Sequence, residues 1–252
     1  MNKRILMPLP HKDFDPTEVS IPWKILSSHG IQIIFSTPNG KPAQCDEIML
    51  TGNKLGVFAN ILSADENARS AYGEMLKSTE FQNPVNWADQ NSVNYDGLLL
   101  AGGHDKGMRE YLESEILQKT VAHYFELNKP IGAICHGVVL AARSKFNNAK
   151  SVLFKRKTTA LLFGQEMLAW AITSLWLGDY YRTYPVSVEE EVRSVLESNN
   201  DFLSGPIPFK RDSLQNLNLG FVVQDRNYIS ARWPGDAHAF GTKFLDIINQ
   251  GA

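Results

Sequence analysis

The segment Pro130-Ile131-Gly132-Ala133-Ile134 runs directly into Cys135-His136-Gly137-Val138-Val139-Leu140-Ala141-Ala142. A short apolar run after proline reads as a buried strand, and the run that follows reads as the start of a helix. No loop residues separate the two, so the chain must turn sharply at Cys135. The same succession occurs upstream. Tyr95-Asp96-Gly97-Leu98-Leu99-Leu100-Ala101-Gly102-Gly103-His104 is a strand closed by a tight glycine turn, and an amphipathic helix is predicted over 109–127. At the start, Arg4-Ile5-Leu6-Met7-Pro8-Leu9 reads as a strand stopped by prolines. Asp15-Pro16-Thr17-Glu18 then opens a helix, with Asp as cap, Pro at the first position and Glu in the capping-box place. That helix ends near Gly30, and Ile31–Thr37 is the next strand. Alternating strands and helices predict an α/β fold with a doubly wound, mostly parallel sheet flanked by helices.

Residues 40–94 break the rhythm. They are polar, with one helix predicted near 65–77, and too long for a plain connection. They read as an insertion beside or over the active edge of the sheet. Further helices are predicted at 164–178, 187–198 and 236–249, and a hairpin over Arg226-Asn227. With no repeat or linker in its 252 residues, the chain reads as one domain, 1–252.

A net charge of −2 gives no reason to expect nucleic acid or an anionic membrane surface as partner. The two cysteines, Cys45 and Cys135, form neither a disulfide framework nor a CxxC pair. The N-terminal apolar run is too short for a signal segment, and no stretch reaches membrane-span length. A cytoplasmic location is the resulting expectation. No metal is expected, because no His/Asp/Glu cluster has ligand spacing.

The chemistry centres on Ala133-Ile134-Cys135-His136-Gly137. A nucleophile between strand and helix lies at the carboxyl edge of the sheet, where open α/β folds bind ligands. Free N–H groups at the helix start favour a thiolate, so a lowered thiol pKa is expected. The Gly102-Gly103-His104 turn should lie beside it, with the N–H groups of Gly103 and His136 as an oxyanion hole. Gly102, His104 and His11 are candidate pocket residues, with Asp13 beside His11. Each also has a plain structural reading: a buried small hydrophobe for cysteine, a strand-ending turn for the glycines, loop polar groups for His11 and Asp13. Trp170, Trp176, Tyr180, Tyr181 and Tyr184 form an aromatic-rich stretch that reads as core packing, a cover over the site or a subunit interface.

The glycine turn and the cysteine elbow together resemble the ThiJ/PfpI superfamily, within the flavodoxin-like, class I glutamine amidotransferase-like fold. The segment Ser230-Ala231-Arg232-Trp233-Pro234-Gly235-Asp236-Ala237-His238-Ala239-Phe240 resembles that family's final strand, turn and helix. The resemblance implies that Glu18 hydrogen-bonds the Cys135 sulfur, the alternative being a simple capping glutamate. It also implies that His136 acts as base, with an acidic partner elsewhere; Glu189, Glu190 and Glu191 are the candidates. His-x-Glu is absent near the C-terminus, which disfavours glutaminase chemistry and leaves His238 structural. The implied activity is conversion of methylglyoxal to lactate without glutathione, or deglycase-like chemistry, on a small-molecule substrate and with no cofactor. Alternatives are a redox sensor, a stress chaperone, a small-molecule amidase or hydratase, and an intracellular cysteine peptidase. A homodimer is expected from the same resemblance.

Overall fold

A computed structural model describes residues 3–90 and 95–250. The expected segment 40–94 therefore ends four residues beyond what is described. Strands β1 (Arg4–Pro8) and β2 (Lys12–Phe14) precede helix α1 (Pro16–Ser28). The Asp15 carboxylate caps α1, accepting from the N–H groups of Thr17 and Glu18 at 2.8 and 3.0 Å. This satisfies donors that a helix start leaves unpaired. β3 (Gln32–Thr37) completes the first β-α-β unit.

The stretch after β3 is more integrated than an insertion. It carries β4 (Gln44–Cys45), α2 (Glu47–Thr51), α3 (Ala59–Leu62), α4 (Glu66–Met75), α5 (Thr79–Gln82) and β5 (Val85–Asn86). β5 is the edge strand of the main sheet, paired with β3, while β4 pairs with β2 in a separate two-stranded ribbon. Its strands have only two residues each, too short to leave an alternating pattern in the sequence.

β6 (Gly97–Leu100) is followed by α6 (Met108–Leu112) and α7 (Glu115–Glu126), where one helix over 109–127 was expected. The break falls at Ser114, whose hydroxyl caps α7 by accepting from the Leu117 N–H. β7 (Ile131–Ile134), α8 (Gly137–Arg143), α9 (Phe163–Leu177), α10 (Val188–Ser194), the hairpin β8 (Val222–Asp225) and β9 (Tyr228–Ala231), and α11 (Ala237–Gln250) complete the chain.

The main sheet has the order β5-β3-β1-β6-β7-β9-β8, and only β8 runs antiparallel to its neighbour. The chain moves from β1 towards β3, then returns to β6 on the other side of β1. Right-handed crossovers in opposite directions place their helices on opposite faces. Accordingly α1 packs with α11 and α4, while α7 packs with α8. Both faces are covered, which is why β6 and β7 are buried at every residue rather than alternately. The reversal between β1 and β6 is a topological switch point, and the carboxyl ends of β1, β6 and β7 meet there.

A second, smaller apolar cluster stands apart from this core. Met49, Leu55, Tyr180 and Tyr181 are its buried members, drawn from the α2–α3 region and the segment after α9.

Candidate active site

Three strand ends supply the centre of the site. Glu18 lies in the first turn of α1 after β1, Gly102 and Gly103 follow β6, and Cys135 follows β7. Cys135 has φ of 56°, a left-handed conformation that non-glycine residues adopt only at a price in strain. Its N–H donates to the Ala231 carbonyl of β9 at 3.0 Å, anchoring the elbow in the sheet. Close packing at Gly137 fixes the helix behind it: a Cβ there would stand 2.3 Å from the Leu100 carbonyl oxygen. Gly103 has φ of 150°, and a Cβ on it would meet the Asp13 carbonyl oxygen at 2.5 Å.

Glu18 is fully buried and is not a capping-box residue. Its Oε2 accepts from the Gly102 N–H at 3.0 Å, reaching across to the next strand end. Oε1 has no nitrogen or oxygen partner among the described residues; the Cys135 thiol is the hydrogen-bonding group left to this carboxyl. Burial, reinforced by the nearby Asp15, pushes Glu18 well above the usual carboxylate range, which favours its protonated form.

The expected lowering of the Cys135 pKa does not occur. Burial is the largest cause, and the charges of Glu18 and Asp15 add to it, so the thiol is pushed well above its ordinary value. The His136 backbone N–H works in the opposite direction and is outweighed. α8 is short, and its free amides do not offset the loss of water around a residue only 6% exposed.

His136 is buried and faces the sulfur, with Nδ1 3.5 Å from Cys135 Sγ. Its Nε2 lies 3.0 Å from the Thr183 hydroxyl. That hydroxyl has one hydrogen, which it donates to the His104 carbonyl. Thr183 must therefore accept from His136 Nε2–H, which leaves the Nδ1 lone pair directed at the sulfur. Burial, with His104 and Arg143 nearby, lowers the His136 pKa to about 3, so the ring is a neutral base. The third partner is thus a threonine rather than an acid. Glu189 pairs with Arg193, Glu190 forms the α10 capping box with Ser187, and Glu191 pairs with Arg143. The sequence carried no signal for Thr183, because it lies on an irregular segment far along the chain.

His104 is brought to the site, but its ring is enclosed by aromatic side chains. It stacks on Tyr181 at 4.4 Å and meets the edge of Tyr180 at 4.6 Å. Its Nε2 lies 3.9 Å from Asp46 Oδ2 and has no hydrogen-bond partner among the described residues. Tyr180 donates to the same Asp46 oxygen at 2.5 Å. Of the aromatic stretch, Tyr180 and Tyr181 therefore form a cap over the His104 turn. Trp176 stacks on Phe58, while Trp170 donates to Asp179. Burial raises Asp46 to about 6 and lowers His104 to about 4.

His11 is not brought in: it is exposed and paired with Glu110 at 2.8 Å. Asp13 faces the Gly107 N–H at 3.0 Å. His238 is buried and hydrogen-bonded to Asp212. Cys45 contacts Tyr72, and burial pushes its thiol up to about 12. Among the described residues no cluster of three His, Cys, Asp or Glu side chains has the arrangement of a metal site, and no helix is long and apolar enough to cross a membrane.

Comparison with known proteins gives this geometry a lineage. An uncharacterized protein of Schizosaccharomyces pombe is 27% identical over 161 residues, which cover 61% of this chain and 57% of that protein. The glutathione-independent glyoxalase hsp3102 of the same organism is 26% identical over 147 residues, covering 57% of this chain and 58% of its own. The chain thus spans under three fifths of the length of these two relatives. The crystal structure of glyoxalase III from Candida albicans superimposes with a TM-score of 0.68 at 14% identity, covering 97% of both chains, which shows a shared fold. The family model described as ThiJ/PfpI family-like matches residues 9–206, a span that holds Glu18, the glycine turn, Cys135, His136 and Thr183. On this match, the chain belongs to the ThiJ/PfpI family.

Proposed function

We propose that this protein is a cysteine-dependent enzyme that converts small α-oxoaldehydes such as methylglyoxal to the 2-hydroxy acid without glutathione. The observation that carries the reading is the placement of a lone-pair nitrogen, His136 Nδ1, against the Cys135 sulfur, with a buried carboxyl, Glu18, whose pKa is raised, alongside. A low-pKa thiolate is not needed. His136 takes the thiol proton as sulfur bonds to the aldehyde carbon, and the carbonyl oxygen gains a proton to give a neutral hemithioacetal. Removal of the C1 proton and return of a proton to C2, with the C1 hydroxyl losing its proton and the C2 oxygen gaining one, turns the adduct into a thioester of the 2-hydroxy acid. Water then cleaves the thioester, releasing the acid and restoring the thiol. Each step leaves the buried site without net charge, as its low polarity demands. The N–H groups of Gly103 and His136 are the proposed donors to the developing oxyanion.

The glutathione-independent glyoxalase activity for which the relative hsp3102 is named supports this substrate class. A redox-sensing role is less well matched, because oxidation favours exposed thiolates and Cys135 is a buried thiol. The test is methylglyoxal consumption without glutathione. Turnover should vanish in Cys135→Ala and fall about 100-fold in Glu18→Gln and His136→Ala, within the usual range for a general acid–base group. Equal rates in wild type and Cys135→Ala would sink the reading.

A further inference from the structure

A cleft of about 260 Å³ is lined in part by Arg109, whose guanidinium donates to the Thr183 carbonyl. We infer that this cleft, walled by Lys106, Arg109 and Arg182 with Trp170 and Tyr184, binds a small organic oxyanion, a carboxylate or a phosphate ester. Neither Cys135 nor His136 lines it, so it is a site separate from the reacting atoms.

Charge is the first argument. Three cationic side chains face one acid, Asp179, and an Asp179 oxygen already accepts from Trp170 Nε1 at 3.1 Å. In a chain with net charge −2, this excess is local rather than general. Spare donors are the second. Arg109 uses Nε and Nη2 on the Thr183 carbonyl, which leaves Nη1 without a partner among the described residues. The Lys106 ammonium makes no hydrogen bond or ion pair among them either. Arg182 is engaged by Glu166, Met167 and Pro185 and contributes charge rather than a free fork. Its acidic partner Glu166 is raised by burial to about 7, so near neutrality that acid only partly cancels the arginine.

Shape is the third argument. Arg109 lies over the Tyr184 ring at 5.0 Å, and Arg143 holds the same ring at 4.4 Å. The guanidinium is thus held in place before any ligand arrives, which reduces the entropy lost on binding. The volume equals roughly nine waters, enough for a small metabolite. Trp170 and Tyr184 offer flat walls for its carbon skeleton.

The test is calorimetric titration of the full chain at low salt with inorganic phosphate, with lactate, and with neutral lactamide. Saturable binding of phosphate or lactate, with Kd of about 1 mM or below, is expected. Lys106→Gln, an exposed residue with no structural bond, should weaken it about tenfold, and Arg109→Gln at least as much. Preference for phosphate assigns the site to phosphate esters, and preference for lactate to carboxylates. Lack of saturation by both anions would overturn the inference, as would equal binding of lactamide or unchanged affinity in Lys106→Gln. Cys135→Ala should bind the anion as wild type does, so loss of the aldehyde reading would leave this site standing.

Discussion

Thr183 sets the proton positions at the candidate site. Its single hydroxyl hydrogen goes to His104, so it can only accept from His136, and the imidazole is held as the Nε2–H tautomer. Thr183→Val keeps the shape and removes the acceptor. The expected result is a 10- to 100-fold lower kcat on methylglyoxal with KM changed little, and recovery in Thr183→Ser, which restores the hydroxyl. A purely structural role would leave the serine and valine variants alike. The juxtaposition of Cys135 and His136 follows from the elbow, a local pattern, whereas the position of Glu18 beside the sulfur was implied only by the family resemblance, since its local pattern reads as a capping box. Thr183 and Asp46 were not legible in the sequence, because each reaches the site by tertiary packing. The thiol pKa departs from the sequence expectation for a related reason. A helix start is visible in sequence, whereas the depth of burial that outweighs it is not.

Contacts between elements explain two further outcomes. α8 lies so close to β6 that Gly137 has no room for a side chain. Gly137→Ala would push backbone against backbone and should lower stability by about 2 kcal/mol or more, measured by urea unfolding. The start of α2 and the turn after β6 meet through Asp46 and His104. Asp46 has an ordinary pKa of 3.8 and is raised to about 6 in the fold. Between these values the folded chain keeps a proton that the unfolded chain releases, so this contribution to stability falls as pH rises from 4 to 6. His104, lowered to about 4, contributes in the opposite sense. Asp46→Asn keeps the helix cap and removes only the falling contribution. Unfolding measured at pH 4 and pH 6 should show the variant gaining on wild type by on the order of 2 kcal/mol across that interval. The helices α1, α9, α10 and α11 and the hairpin were readable from period and turn residues. The division of α6 from α7 was not, because its apolar spacing continues through the Ser114 cap.

At the scale of the whole molecule, the doubly wound sheet follows from the repeated order of strand and helix, and its switch point brings three strand ends to one place. The 40–94 stretch resisted the same reading because its strands are two residues long and gain their place from β2 and β3. The division of the apolar interior into two clusters bears on turnover. Met49, Leu55, Tyr180 and Tyr181 bury far less surface together than the main core does. Their separation should cost less free energy than global unfolding. Amide hydrogen exchange should therefore be faster at 47–62 and 177–183 than in β1, β6 and β7, and uniform protection across all of them would contradict this. If the cap must part before an aldehyde can reach the sulfur, the measured KM includes the fraction of time it stands open. Trimming Tyr180 or Tyr181 would then raise apparent affinity while leaving the reactive groups unchanged, a gain in access bought with loss of a dry reaction chamber.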